Sequence, residues 1–346
     1  MQEIFSAIIA WHKQNRKQMP WREDPTPYHV WLSEIMLQQT RIEAVIPYYK
    51  RFLSALPTIK SLAECDDDAL MKLWQGLGYY SRARNLKKAA RLVMERYGGE
   101  LPADKKQLLK LPGVGDYTAG AISSIAFLQG EPAVDGNVLR VYMRLTEGEE
   151  DIADLSVRRR VCEILRKDYP VGEDARLLTE GIMELGEIVC IPNGEPRCKD
   201  CPVQEKCLSH LHGTTDRYPV KTPKIPRKRV PRTVVMLVCK GKIALQKRKE
   251  EGLLAGLYEF PCIEGEEDIH GVEEWLITQK IKAKSVQPMG SAVHIFTHLE
   301  WHMTGYFSEC EEEGGDYQWF SKEQIDENIP IPTAYAAFQK KLWKKL

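Results

Sequence analysis

The sequence predicts a multidomain protein: an all-α region over residues 1–216, a basic, proline-rich linker over 217–232, and an α+β domain over 233–346. Three observations carry this. Up to about residue 210 apolar residues recur at helical spacing. From Arg217 to Arg232 the chain holds four prolines, seven basic residues and no acid, a composition that keeps it extended and solvated. Beyond it the apolar period becomes two. In order, helices are expected near residues 3–15, 28–39, 47–56, 67–75, 81–94, 117–127, 137–146, 156–168 and 175–189. The fifth has Ser81 as its cap and Gly98-Gly99 as its stop. In the second domain, Thr233–Val238 and Lys242–Gln246 form a hairpin turned at Lys240-Gly241, His298–Phe307 alternates as a strand, and residues 334–346 close as a helix.

At 346 residues each region is long enough to bury its own core. No run of 18 apolar residues exists and the N-terminus is amphipathic, so a cytosolic chain without a membrane partner is expected, at the nucleoid if bacterial. The 49 basic and 49 acidic residues cancel, so a polyanion would have to be met by local patches. Nine cysteines, odd in number and unevenly spaced, do not read as a disulfide framework. Nothing requires more than a monomer.

The most informative stretch is Leu111–Ala119, a glycine-bearing turn opening into a helix. Gly113 and Gly115, with Val114 between them, let the main chain approach an anion while N–H groups and the helix N-terminus point at it. Asp116 is the expected N-cap. The alternative is a helix corner with no ligand. In Val30–Thr40, Glu34 is the single charged residue of an apolar helix. Burying a carboxyl disfavours its anion and makes it a proton donor near neutral pH, although a structural salt bridge is an equal reading. Asp135 precedes a further helix, where it or Asn137 serves as a cap, or where it pairs with Glu34. Two carboxyls of different pKa suit cleavage of a glycosidic bond: one protonates the leaving group while the other faces the oxocarbenium charge.

Cys190, Cys198, Cys201 and Cys207 are spaced C-x7-C-x2-C-x5-C, a metal-binding signal that in a helical context favours an iron–sulfur cluster over zinc. The remaining five cysteines read as core or surface thiols. Leu73–Arg82 is a glycine and aromatic loop whose Leu77 and Tyr79 either wedge into a base stack or pack a helical corner.

Taken together, Trp31–Thr40, Gly76–Arg82, Leu111–Ala119, Val134–Val138, the four cysteines and Phe296–His298 resemble the MutY-type adenine DNA glycosylases of the helix-hairpin-helix superfamily, over nearly the whole chain. The resemblance implies a helical barrel carrying the hairpin at about 21–130, a 4Fe–4S cluster module made of 1–20 plus 131–216, and a Nudix-like lesion-recognition domain at 233–346. It implies excision of adenine mispaired with 8-oxoguanine, and also with guanine, in duplex DNA. Glu34 would protonate adenine N7, Asp135 would stabilise or capture the oxocarbenium ion, and Tyr117 and Asn137 would support the pocket. Arg22 and Glu180 match positions that contact the extruded adenine. Gln39, Thr40, Leu77 and Tyr79 match residues that probe the opposite strand and fill the gap. Phe296, Thr297 and His298 match the loop that reads 8-oxoguanine. Flipping is required because the C1′–N9 bond is inaccessible inside a duplex. Lyase relatives such as endonuclease III carry a lysine where this chain has Tyr117, so the resemblance implies a monofunctional glycosylase that leaves an abasic site.

The chain departs from the family at Thr297, where serine is usual, in the seven residues between Cys190 and Cys198 against six, and at Lys17, where some relatives have arginine. Glu264, Glu266 and Glu267 lack the spacing of a Nudix metal signature, so the C-terminal domain is expected to recognise rather than hydrolyse. The competing readings are a glycosylase for oxidised pyrimidines, a non-catalytic iron–sulfur lesion sensor, and a pyrophosphatase acting on oxidised nucleotides.

Overall fold

The computed structural model describes residues 1–222 and 226–346; residues 223–225 of the linker lie outside them. The chain divides into two compact units, Met1–Glu64 with Asn85–Pro223, and Cys65–Arg84 with Lys224–Leu346. The helix Asp67–Trp74 and the glycine and aromatic loop thus group with the C-terminal half. No helix among the described residues is long and apolar enough to cross a membrane.

The first unit is helical because its apolar residues recur at helical spacing and its helix starts are capped. Thr26 accepts from the N–H of His29 at 3.3 Å to open Pro27–Leu37, with Pro27 in the first turn where its missing N–H costs nothing. Asp135 opens Gly136–Thr146 and Asp154 opens Leu155–Arg166 by the same device. Phe5, Ile8, Leu139, Leu178 and Leu185 form a core shared by the helices Gln2–Asn15, Gly136–Thr146 and Glu173–Ile188. Gly181 allows the close approach of the first and last of these, since a Cβ there would stand 3.0 Å from that of His12. Short helices Ile59–Glu64 and Lys105–Leu108 add to the expected set.

In the second unit a seven-stranded sheet has the order β3-β2-β1-β6-β5, with β4 on β1 and β7 on β2. The strands are β1 (Lys228–Cys239), β2 (Lys242–Lys247), β3 (Tyr258–Glu259), β4 (Cys262–Glu264), β5 (Ala283–Ile295), β6 (Leu299–Cys310) and β7 (Gln318–Phe320). β1 includes the last five residues assigned to the linker from sequence. The hairpin at Lys240-Gly241 is present, with Cys239 opposite Lys242. Period two sends Val234, Met236 and Val238 to one core and Val235, Leu237 and Cys239 to the other. Phe338 and Leu342 of the C-terminal helix Ala336–Lys345 fill the first, and Val272 and Leu276 of Ile269–Thr278 fill the second. A sheet covered by a helix on each face explains why β1 is buried on both of its faces from Thr233 to Cys239.

Candidate functional site

Glu34 lies in the first unit on Pro27–Leu37, where every residue from Val30 to Met36 is buried. A cavity of about 230 Å³ opens against it, lined also by Arg22, Tyr117, Asp135, Asn137 and Glu180. The structure thus brings both expected carboxyls, both expected supports and both expected base-contacting residues to one place. Its size is small for a drug-like ligand and suits a group the size of one nucleobase.

The two carboxyls differ in their hydrogen bonds. Oε2 of Glu34 is buried without a hydrogen-bond partner. Burial drives the Glu34 carboxyl up to about 7; the nearby charges of Asp135 and Glu180 add to the rise, while the Tyr117 hydroxyl and Arg22 oppose it. Asp135 accepts on both oxygens, from the Val138 N–H at 2.7 Å on Oδ1 and from Nδ2 of Asn137 at 2.9 Å on Oδ2. Burial raises it too, but those donors and Arg140 pull it back. Arg140 in turn donates to Oδ1 of Asn137 at 2.9 Å and to the Gly186 carbonyl at 2.6 Å, which fixes the amide. Asp135 thus caps Gly136–Thr146 and also lines the cavity with Glu34.

One wall of the cavity is an ion network that sequence reading found only in part. Arg22 donates to Oε2 of Glu184 at 2.9 Å and lies 3.5 Å from Oε2 of Glu180. Burial works against the Glu180 anion, yet His12, Arg22 and Arg16 outweigh it and hold the carboxyl below its usual range. Glu184 and His12 were not singled out from sequence. The available signal was the spacing of Glu180 and Glu184, four apart on one face of a helix that is otherwise mostly buried. Met183, whose Sδ accepts from the Tyr117 hydroxyl at 3.3 Å, was also missed.

At the hairpin, Gly113 has φ +79°, and a Cβ there would meet that of Asn85 at 2.8 Å, so glycine is required twice over. The N-cap of Asp116–Ala121 is Gly115, without a side-chain cap bond; Asp116, expected as the cap, instead occupies the first turn. The helix continues as a π turn over Ile122–Ala126. A groove of about 1010 Å³ joins Glu34 and Asp135 to Gln38, Gln39, Gly115 and the basic residues Lys106, Arg158 and Arg159. Gln39 has φ +58°, and Thr40 lines the smaller cavity.

In the second unit Leu77 is buried and Tyr79, at φ +47°, is 45% exposed, so Tyr79 is the member of that pair available at the surface. Its hydroxyl is 2.9 Å from Oγ1 of Thr297. Phe296, Thr297 and His298 form the turn between β5 and β6. The Phe296 ring packs edge-on against Trp301, with centroids 4.9 Å apart, and leaves Thr297 and His298 exposed.

The expectation of a 4Fe–4S cluster is corrected. Cys190, Cys198, Cys201 and Cys207 line one cavity of about 30 Å³ with Arg144. Among the described residues, however, no group of three or more His, Cys, Asp or Glu side chains is disposed to hold a metal ion. The sulfurs are instead engaged within the protein: burial raises Cys198 and Cys207 and pushes Cys201 up to about 12, and Cys190 Sγ accepts from Arg144 at 3.3 Å. Cys207 donates to the Arg144 carbonyl at 3.4 Å, and Cys190, Cys201 and Cys207 pack against the helical core as small apolar groups.

A model of the HhH-GPD superfamily base excision DNA repair proteins matches residues 32–167, and one of the NUDIX domain matches 233–341. The chain is 32% identical over 340 residues to an adenine DNA glycosylase of Buchnera aphidicola subsp. Acyrthosiphon pisum, covering 95% of each. Similarity to the adenine DNA glycosylase of Homo sapiens is 31% over 356 residues, covering 85% of this chain and 64% of that one. Among solved structures, a thermostable thymine-DNA glycosylase is 28% identical with a TM-score of 0.55, covering 61% of this chain and 96% of its own. Endonuclease III in a non-covalent DNA complex is 26% identical with a TM-score of 0.52, covering 61% and 97%.

Proposed function

Because this chain belongs to the adenine DNA glycosylases of the HhH-GPD superfamily, enzymes of base excision repair, we propose that its substrate is adenine opposite 8-oxoguanine in duplex DNA and that Glu34 and Asp135 divide the chemistry. The observation that carries this is the contrast between them on one cavity: Glu34 is pushed up to about 7 with an unpartnered oxygen, and Asp135 is bonded on both. Glu34 gives its proton to N7 of the extruded adenine. The C1′–N9 bond then breaks with its electron pair passing to the base, and the positive charge left on the sugar is met by the Asp135 carboxylate. Water adds to C1′ and loses a proton, which completes hydrolysis. Tyr117 stands where an attacking amine would be needed for strand cleavage, so the product is an abasic site. Arg22 and Glu180 hold the base edge. Gly113, Val114 and Gly115 hold a phosphate, and Gln39, Thr40, Leu77 and Tyr79 probe the stack. Phe296, Thr297 and His298 read the 8-oxoguanine, with the threonine hydroxyl as the hydrogen-bonding group.

The test is single-turnover incubation with a labelled duplex holding one adenine opposite 8-oxoguanine, or opposite guanine, with half of each sample heated in alkali. Strand scission after alkali alone, faster opposite 8-oxoguanine, is the expected result. Equal rates opposite the two bases would remove the 8-oxoguanine reading, and scission without alkali would remove the monofunctional one.

A further inference from the structure

His12 is fully enclosed on the helix Gln2–Asn15, and the reaction above makes no use of it. Its Nε2 lies 3.1 Å from Oε2 of Glu180 and its Nδ1 lies 3.3 Å from Oε2 of Glu184. The Nε2 contact is a hydrogen bond to the Glu180 carboxylate, whereas Nδ1 meets Glu184 as a close polar contact without hydrogen-bond geometry. The other groups facing these carboxylates are Arg22 from the turn Pro20–Glu23 and, from the same helix end as His12, Arg16 at 3.0 Å from Glu180 and the Lys17 N–H at 3.1 Å from Oε1 of Glu184. Across the cavity stand Glu34 and Asp135. The two glutamates, one helical turn apart, are therefore gripped from both flanks, and Arg22 cannot grip them from the side that His12 occupies.

We propose that His12 is a positioning residue for the base pocket: clamped between Glu180 and Glu184, it fixes the Glu180 carboxylate as the acceptor for the exocyclic amino group of the extruded adenine. This rests on reading the cavity as the adenine pocket.

The test compares wild type with His12→Phe and His12→Gln in single-turnover excision from duplexes carrying either 2′-deoxyadenosine or the purine deoxynucleoside that lacks the amino group. Each is measured from pH 5.5 to 9, opposite both 8-oxoguanine and guanine. His12→Phe is expected to slow adenine excision by about 10- to 100-fold, the worth of a hydrogen bond to a charged group. It should slow purine excision far less. His12→Gln, which can still donate to Glu180 but loses the ring that meets Glu184, falls between, and it decides the matter if His12→Phe does not fold. Equal slowing of both bases would overturn the proposal and leave His12 a packing residue. Failure of the 8-oxoguanine reading shows instead as equal wild-type rates opposite the two bases, whatever His12 does.

Discussion

Replacing Glu34 by glutamine separates the stability of this protein from its activity, and the size of the separation follows from the burial of one carboxyl. In the folded chain Glu34 keeps its proton up to about pH 7, against an ordinary value of 4.5. Unfolded, it releases that proton near the ordinary value. The folded state therefore binds more protons through this window, and its stability falls as pH rises from the unfolded value through about 7. Each tenfold step is worth about 1.4 kcal/mol, so wild type should lose about 2 to 3 kcal/mol between pH 5 and pH 8 on account of this residue. Glutamine has nearly the same shape and does not ionise. The melting temperature of Glu34→Gln minus that of wild type should accordingly widen from pH 5 to pH 8 by about 4 to 12 °C, at roughly 2 to 4 °C per kcal/mol for a unit of this size. Excision by the variant should be lost at both pH values while duplex binding persists. A difference in melting temperature that is the same at pH 5 and pH 8 would refute the buried, protonated state of Glu34, and residual full-rate excision would refute its role as the acid.

The same value sets the pH dependence of catalysis: single-turnover excision should fall tenfold per pH unit above about 7, and a rate that holds level to pH 9 would point to another proton donor. Gly186→Ala places a Cβ 2.7 Å from that of Asn137, so the amide that binds Asp135 must move; a loss of stability of about 1 to 3 kcal/mol, seen as a lower melting temperature, together with slowed excision is expected, and wild-type kinetics would show that the Asn137 contact is dispensable. Thr297→Val removes the hydroxyl that meets Tyr79 at 2.9 Å and should weaken binding to 8-oxoguanine duplexes by roughly fivefold, about 1 kcal/mol, with guanine duplexes unaffected in a gel-shift titration.

The long helices were legible because 3.6-residue periodicity accumulates over their length, and the hairpin at Lys240-Gly241 because two apolar runs flank a glycine turn. Ile59–Glu64 and Lys105–Leu108 are too short for any period to show. The helices Ile269–Thr278 and Lys322–Glu327 did carry readable signals, the cap at Asp268 and the capping box of Ser321 and Gln324. β5 carried none: it is mostly exposed, holds Pro288 and a bulge next to Gly290, and is defined by its pairing with β6 rather than by its own residues. Asp116 fails as a cap because the extended backbone falls one residue earlier, at Gly115.

Sequence by itself determined what local chemistry determines: where helices start, where the period changes from helical to strand, and which residue types could carry a proton, a phosphate contact or a base. It also identified a lone glutamate in an apolar helix as unusual. Tertiary structure alone decided that Glu34, Asp135 and Glu180 share one cavity, and that His12 stands between Glu180 and Glu184. It decided too that residues 65–84 group with the C-terminal half, and that among the described residues the four half-buried cysteines are not disposed to hold a metal ion. The reason is that periodicity and capping are set by neighbours within a few residues. Burial, and with it the protonation of a carboxyl or a thiol, depends on which distant segments close around it.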